Sequence, residues 1–255
     1  MTVATDNGGP PKQVPIRIAT YNLQSGRGGR LESAIRSIAQ MNVDLCFFTE
    51  AKLTDGIYTH RNRGYTVHAT NAMSNQQGGV ALVFRASSYW QVESIREFGP
   101  NVISCRLVTG RRTIGLIGAY VPPNDLDTMQ YVHQAVDFLE NNSVVLLGDL
   151  NVDLEVPRGD RALSIAANVA GFGLEDLRSH FKRRKNLRSD FTWWQHRDGR
   201  LVSSRCDYIL GSDRRMFRHV CLKSPRLFSS DHKMVLGELL SDSLSPNRRY
   251  VNGRR

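Results

Sequence analysis

The sequence predicts an α/β domain with mixed sheets. Short apolar runs rich in β-branched and aromatic residues recur along the 255-residue chain, and only three stretches (31–41, 127–140 and 160–170) repeat apolar residues at helical spacing. The first helix lies between two strands, a crowd of strands follows, and helix–strand alternation then resumes. That order suits mixed sheets better than one doubly wound parallel sheet. At about 150 residues per domain the length allows one or two domains.

Ile16–Tyr21 alternates apolar and polar residues as a half-buried strand does. In Leu31–Met41, Leu31, Ala34, Ile35, Ile38 and Ala39 fall on one helical face. Val43–Phe48 is a buried strand. Strands follow at Tyr65–Ala69, Gly79–Phe84, Val102–Val108 and Ile114–Tyr120, punctuated by Gly78-Gly79 and Gly110-Arg111-Arg112. The helix over 127–140 presents Met129, Val132, Ala135, Val136 and Leu139 on one side. Val144–Leu147 is a buried strand that stops at Gly148, and residues 160–170 form the third helix. The last strands are Phe191–Trp194, Cys206–Leu210, Val220–Lys223 and Met234–Leu239. Residues 1–14 read as a polar, disordered lead-in, 15–240 as the folded domain, and 241–255 as a basic tail or linker to further chain.

Composition narrows the function classes. Apolar residues make up 40% of the chain, enough for a large core, and no run reaches the ~20 residues of a membrane helix. The opening MTVATDNGGPPKQVP has no apolar stretch of a secretory signal. Four cysteines without CxxC spacing argue against zinc and disulfide frameworks and for a reducing compartment. Lys plus Arg is 34 and Asp plus Glu is 24, a net charge of +10 that suits a polyanionic partner.

The polar residues at strand ends carry more information. In α/β sheets, functional groups gather at the C-terminal ends of strands. Here strands run into Asn22, Glu50, Tyr120, and Asp149 with Asn151; Asp207 sits inside an apolar run, and Asp231-His232 precede the last strand. Each has a bland alternative as a turn, cap or packing residue. Asp207 is the exception, because an acid between Cys206 and Tyr208 is costly to bury unpaired, and His232 is a candidate partner.

In this order the segments Ala19–Gln24, Leu45–Lys52, Gly118–Pro122, Gly148–Asn151, Phe191–Trp194, Ser204–Leu210 and Ser229–His232 resemble the endonuclease/exonuclease/phosphatase superfamily, whose fold is that of deoxyribonuclease I. The resemblance runs from about Ile16 to Leu240. It implies a four-layered α/β sandwich, two mixed sheets face to face with helices outside. It also implies hydrolysis of a phosphate ester with Mg²⁺, or Mn²⁺ in its place. By this likeness Glu50 is the main metal ligand, with Asn22 nearby and Asp231 as a second contributor. Asp149 orients and deprotonates the attacking water, and Asn151 binds a phosphate oxygen. His232 bonds the scissile phosphate while Asp207 accepts its other ring proton, and Tyr120 donates to the phosphate or approaches the leaving group. Gln24 and Pro123 depart from the pattern, standing where Asp and Asn are frequent.

Three features point to DNA within the superfamily. One is the basic balance. Another is RSHFKRRKNLR, with six Lys or Arg in eleven residues, which offers Arg178, Lys182, Arg183, Arg184, Lys185 and Arg188 to phosphates. The third is Thr192-Trp193-Trp194 followed by Ser204, which resembles the endonuclease domains of non-LTR (LINE-type) retrotransposon polyproteins and makes Thr192 and Ser204 DNA-contacting candidates, with one of the two tryptophans expected in the core. The implied role is nicking double-stranded DNA in the nucleus, leaving a 3′-hydroxyl to prime a reverse transcriptase carried on a longer chain. The alternatives are an apurinic-site repair endonuclease, against which Gln24 and Pro123 count, a lipid or inositol phosphatase, and a catalytically inactive DNA-binding module. Val152-Asp153 after Asn151 and Tyr208 after Asp207 do not match the phosphatase pattern, and the full set of acids does not match an inactive module.

Overall fold

The structure, a computed structural model, describes residues 15–54, 58–62, 64–74, 77–125, 127–140, 142–181 and 190–241. Its elements run β1 (Ile16–Asn22), α1 (Arg30–Gln40), β2 (Leu45–Thr49), β3 (Tyr58–Asn62), β4 (Tyr65–Ala69), β5 (Val80–Arg85), β6 (Trp90–Glu97), β7 (Val102–Thr109) and β8 (Arg112–Tyr120). They continue with α2 (Thr128–Phe138), β9 (Ser143–Asp149), α3 (Asp160–Gly171), β10 (Glu175–Asp176), α4 (Leu177–His180), β11 (Trp193–Arg197), β12 (Arg200–Ser204), β13 (Asp207–Gly211), a 3₁₀ turn (Arg214–Met216), β14 (Phe217–Lys223) and β15 (Met234–Leu239). The expectations for residues 1–14 and 242–255 lie outside the described residues. Among the described residues, no helix is long and apolar enough to cross a membrane.

Two mixed sheets form the centre. One has seven strands in the order β14-β15-β1-β2-β5-β4-β3, the other six in the order β10-β13-β9-β8-β7-β6, and β11-β12 is a separate hairpin. Each sheet has one parallel pair at its middle, β1 with β2 and β8 with β9, and antiparallel neighbours around it. The alternation of a strand sorts its side chains into layers. Ile16, Ile18, Leu45 and Phe47 face inward and meet Ile103, Cys105, Leu116, Val145, Leu147 and Ile209 of the opposite sheet. Their neighbours Ala19, Tyr21, Cys46 and Phe48 face outward and are covered by Leu31, Ala34, Ile35 and Ile38 of α1. Ile117, Ala119, Leu146, Tyr208 and Leu210 are covered by Met129, Val132 and Ala135 of α2 and by Ile165 and Val169 of α3. Three apolar layers therefore make a four-layered α/β/β/α sandwich. Central strands buried on both faces explain why they read as near-continuous apolar runs.

Two glycines set how closely the layers approach. A Cβ on Gly118 would lie 2.0 Å from the Phe47 ring, where the two sheets touch. A Cβ on Gly148 would lie 1.8 Å from the Ala119 carbonyl, so the strand that delivers Asp149 can sit against β8 only with glycine there.

Candidate active site

The parallel pairs bring the polar strand ends to one rim. Asn22 pairs with Thr49 in one sheet. In the other, Asp149 pairs with Tyr120 on one side and with Asp207 on the other. The two sheets are then joined by side chains. The Asn22 amide nitrogen donates to Glu50 Oε1 at 3.1 Å and to Asp149 Oδ2 at 2.8 Å. The Tyr120 hydroxyl donates to the same Glu50 oxygen at 3.1 Å. The backbone N–H of Gln24 donates to Asn22 Oδ1 at 2.8 Å, which fixes the orientation of the amide. Gln24 thus serves the site through its backbone.

His232 is held by Asp207, with Nδ1 and Oδ2 2.8 Å apart. Its Nδ1 is 4.0 Å from Asp149 Oδ2, and its Nε2 is 3.7 Å from Asp231 Oδ1. Asn151 has a left-handed φ of 51°, donates from its N–H to Asp149 Oδ1 at 2.9 Å and from its amide to the Val121 carbonyl at 3.1 Å. Asp231 accepts from the Trp193 indole N–H at 3.0 Å. All eight residues expected at the strand ends therefore converge: Asn22, Glu50, Tyr120, Asp149, Asn151, Asp207, Asp231 and His232. Gln24, Glu50, Lys52 and Asn151 all adopt positive φ without being glycine, a concentration of backbone strain common at functional sites.

Burial and neighbours tune these groups. Burial raises the Asp149 carboxyl, and the charge of Asp207 raises it further, against the pull of His232, Asn22 and Asn151. Burial alone would lower His232, but the charge and hydrogen bond of Asp207, with Asp149 and Asp231 beyond, push the imidazole up to about 10. Burial would raise Glu50, but the hydrogen bonds and charge of Lys52, with Asn22 and Tyr120, hold it below the ordinary range. Tyr120 is driven upward by burial and by the nearby carboxylates, so its hydroxyl stays a donor. The rim thus offers a carboxylate of raised basicity beside a protonated imidazole.

The donor set fits a hard divalent cation. Glu50 and Asp231 supply carboxylate oxygens, and Asp231 Oδ1 is buried without a hydrogen-bond partner, whereas Asn22 turns its amide nitrogen to Glu50 and Asp149 and its oxygen to the Gln24 N–H. Asp149, Cys206 and His232 also bring donor atoms within 4.8 Å of one another, but the imidazole there is already committed to Asp207.

Other expectations are redirected. Thr192 is fully buried, so it is no DNA contact. Its hydroxyl accepts the N–H groups of Cys206 and Asp207, each at 3.0 Å, and its carbonyl accepts from Lys233. Trp193 bridges to His232, and the Trp194 N–H donates to the Asp231 carbonyl. The Thr192–Trp194 segment is a shelf that holds Asp207 and His232 in register. Neither tryptophan belongs to the core, since both are half-buried at the base of the hairpin. Ser204 ends β12, half-buried, opposite Trp193. Arg178 is turned inward, donating to the Val220 carbonyl at 3.1 Å and pairing with Asp190 at 3.3 Å, so it is not free for phosphate. Lys182, Arg183, Arg184, Lys185 and Arg188 lie outside the described residues.

Two residues were missed in the sequence. Lys52 lies with Nζ 2.7 Å from Glu50 Oε2. Arg161, at the start of α3, donates to the carbonyls of Pro122 at 2.8 Å, Asn151 at 3.1 Å, Leu150 at 3.3 Å and Val121 at 3.4 Å, and so braces the Tyr120 and Asp149 loops together. A basic residue two places after a strand-end acid was a signal for the first; nothing local marks the second.

The sequence pattern of the Endonuclease/Exonuclease/phosphatase family matches residues 19–232. No curated protein sequence matches the chain. Among solved structures, the endonuclease domain of TRAS1, a telomere-specific non-LTR retrotransposon, superposes with a TM-score of 0.70 at 16% identity, over 88% of this chain and 98% of that one. An AP endonuclease from Archaeoglobus fulgidus gives 0.66 at 19% identity, over 88% and 99%. A 3′ phosphatase, NExo, from Neisseria, bound to a product DNA hairpin, gives 0.64 at 19% identity, over 88% and 99%. At these identities the likeness establishes the fold.

Proposed function

The chain belongs to the endonuclease/exonuclease/phosphatase family, and on that premise we propose that it is a metal-dependent endonuclease that nicks double-stranded DNA and leaves a 3′-hydroxyl. The observation that carries the reading is the pairing of Asp149 with His232: a carboxylate raised by burial stands 4.0 Å from an imidazole kept protonated by Asp207. Raised base and protonated donor side by side suit attack of water on a phosphodiester.

Each residue has a task in this reading. Asp149 accepts the proton of the attacking water. Its orientation is fixed by Asn22 and by the Asn151 N–H. His232 donates from Nε2 to a non-bridging phosphate oxygen, because Nδ1 is engaged by Asp207. That hydrogen bond strengthens as negative charge develops in the transition state. Tyr120 stands at the rim as a second donor. Glu50, Asn22 and Asp231 would hold Mg²⁺ or Mn²⁺, which neutralises phosphate charge when bound.

DNA as substrate draws support from the net charge of +10 and from the basic run ending at Arg188. The retrotransposon role rests on Thr192-Trp193-Trp194 with Ser204 in the sequence and on the likeness to a domain described as belonging to such an element. In that role the nick would prime a reverse transcriptase elsewhere on a longer chain, in the nucleus. The test is end mapping of nicked plasmid. Extension of the nick by a DNA polymerase without prior phosphatase treatment supports a 3′-hydroxyl product. Cleavage confined to an abasic duplex, or release of phosphate from a small ester without nicking, would assign the site to repair or to phosphatase chemistry.

A further inference from the structure

We propose that Lys52 is the protein's own counter-cation for Glu50, and that a divalent metal enters this site by displacing it. The inference rests on the reading of Glu50 as metal ligand. Every oxygen of that carboxylate is engaged by the chain itself: Oε1 accepts from Asn22 and from Tyr120, both at 3.1 Å, and Oε2 faces the Lys52 ammonium at 2.7 Å. The side chains of Lys52 and Glu50 are only 15% and 20% exposed, so the pair is shielded from water and stronger than a surface pair.

The backbone is built to make this contact. Glu50 and Lys52 have φ of 49° and 52°, a conformation that non-glycine residues adopt at a cost. The turn is held by Ala51 N–H to the Gly79 carbonyl and Lys52 N–H to the Gly78 carbonyl, each at 3.0 Å. A Cβ on Gly79 would come within 3.1 Å of the Lys52 backbone nitrogen, so the turn ahead of β5 packs this closely because glycine is there. Three segments of chain thus cooperate to hold an ammonium against a carboxylate that already has two neutral donors. Without a cation, Glu50 would be a half-buried charge close to Asp149, to which it is linked through Asn22. Lys52 supplies that cation. A metal ion taking the carboxylate must then overcome both the existing ion pair and the repulsion of a nearby positive charge, so Lys52 weakens metal binding while stabilising the metal-free site.

The experiment is Mn²⁺ binding to the whole chain, read from the electron paramagnetic resonance signal of free Mn²⁺, for wild type, Lys52→Met, Lys52→Arg and Glu50→Gln, with thermal melts in EDTA and in excess Mn²⁺. Lys52→Met is expected to bind Mn²⁺ about tenfold more tightly, the effect of one removed charge in a partly desolvated site. Its melting temperature should fall in EDTA and recover with Mn²⁺. Lys52→Arg, which keeps the charge, should bind as wild type does. Glu50→Gln binding weakly while Lys52→Met binds no more tightly than wild type would overturn the role of Lys52 and leave the metal reading intact. Glu50→Gln binding as wild type does would overturn both. A second measurement needs no variant: acetic anhydride should label Lys52 faster, relative to the other lysines, once Mn²⁺ is added. An unchanged ratio, with Mn²⁺ bound, would overturn the proposal even if Lys52→Met failed to fold.

Discussion

Thr192→Val removes one hydroxyl and keeps the shape. The structure makes this a large perturbation. The Thr192 oxygen accepts the backbone N–H groups of Cys206 and Asp207, each at 3.0 Å, and no part of the residue reaches solvent. Valine leaves two donors buried without partners, at about 1–3 kcal/mol each. The expected loss is therefore roughly 2–6 kcal/mol, and at about 2–4 °C per kcal/mol for a chain of this size the melting temperature should fall by about 4–24 °C. Nicking should fall with it, because the Asp207 N–H anchors the residue that orients His232. Thr192→Ser keeps the acceptor and should cost about 1 kcal/mol for the lost methyl. The assay is urea unfolding of all three proteins beside DNA binding of the folded fraction. A valine variant as stable as wild type but with weakened DNA affinity would refute the argument and return Thr192 to the DNA surface.

Arg161→Met should destabilise the protein by about 2–4 kcal/mol by removing the donor that the Val121, Pro122, Leu150 and Asn151 carbonyls share and so untying the two loops, and should lower kcat more than it raises KM, since these loops carry Tyr120, Asp149 and Asn151; equal effects on both parameters would contradict the bracing role. In EDTA, the stability contributed by His232 is present below its ordinary pKa and is lost as pH rises toward about 10. Urea melts from pH 6 to 10 should thus show wild type losing roughly 2–4 kcal/mol that His232→Asn never had, and parallel pH profiles would contradict the Asp207–His232 pairing. Arg178→Ala should cost stability through Asp190 and Val220 and leave the salt slope of DNA affinity unchanged. Neutralising Lys182, Arg183, Arg184, Lys185 and Arg188 together should flatten that slope.

How far the sequence carries depends on whether a signal is local. The central strands were legible because burial on both faces leaves apolar runs, as in Leu45–Thr49 and Asp207–Gly211. The strands that escaped notice lie at edges. Trp90–Glu97 is largely exposed on a bulged edge and mixes charge with apolar residues. Arg200–Ser204 is solvated along most of its length. The eight convergent polar residues were legible because each follows or precedes a buried strand, and strand ends of parallel pairs share one rim. Two assignments are redirected for one reason. Thr192 and Arg178 look available for DNA by residue type, but tertiary contacts claim both. Lys52 carries only its place two residues after a strand-end acid, and two left-handed residues turn it onto Glu50. Arg161 reaches four carbonyls in two loops, an arrangement that no spacing encodes.

The most direct measurement is relaxation of supercoiled plasmid by wild type, Asp149→Asn and His232→Ala, with Mg²⁺ and with EDTA, after circular dichroism has shown each protein folded. The account predicts open-circular product from wild type with Mg²⁺ only, and a loss of at least about 10²-fold in rate for each variant. Wild-type rates from folded Asp149→Asn, or nicking that survives EDTA, would contradict it.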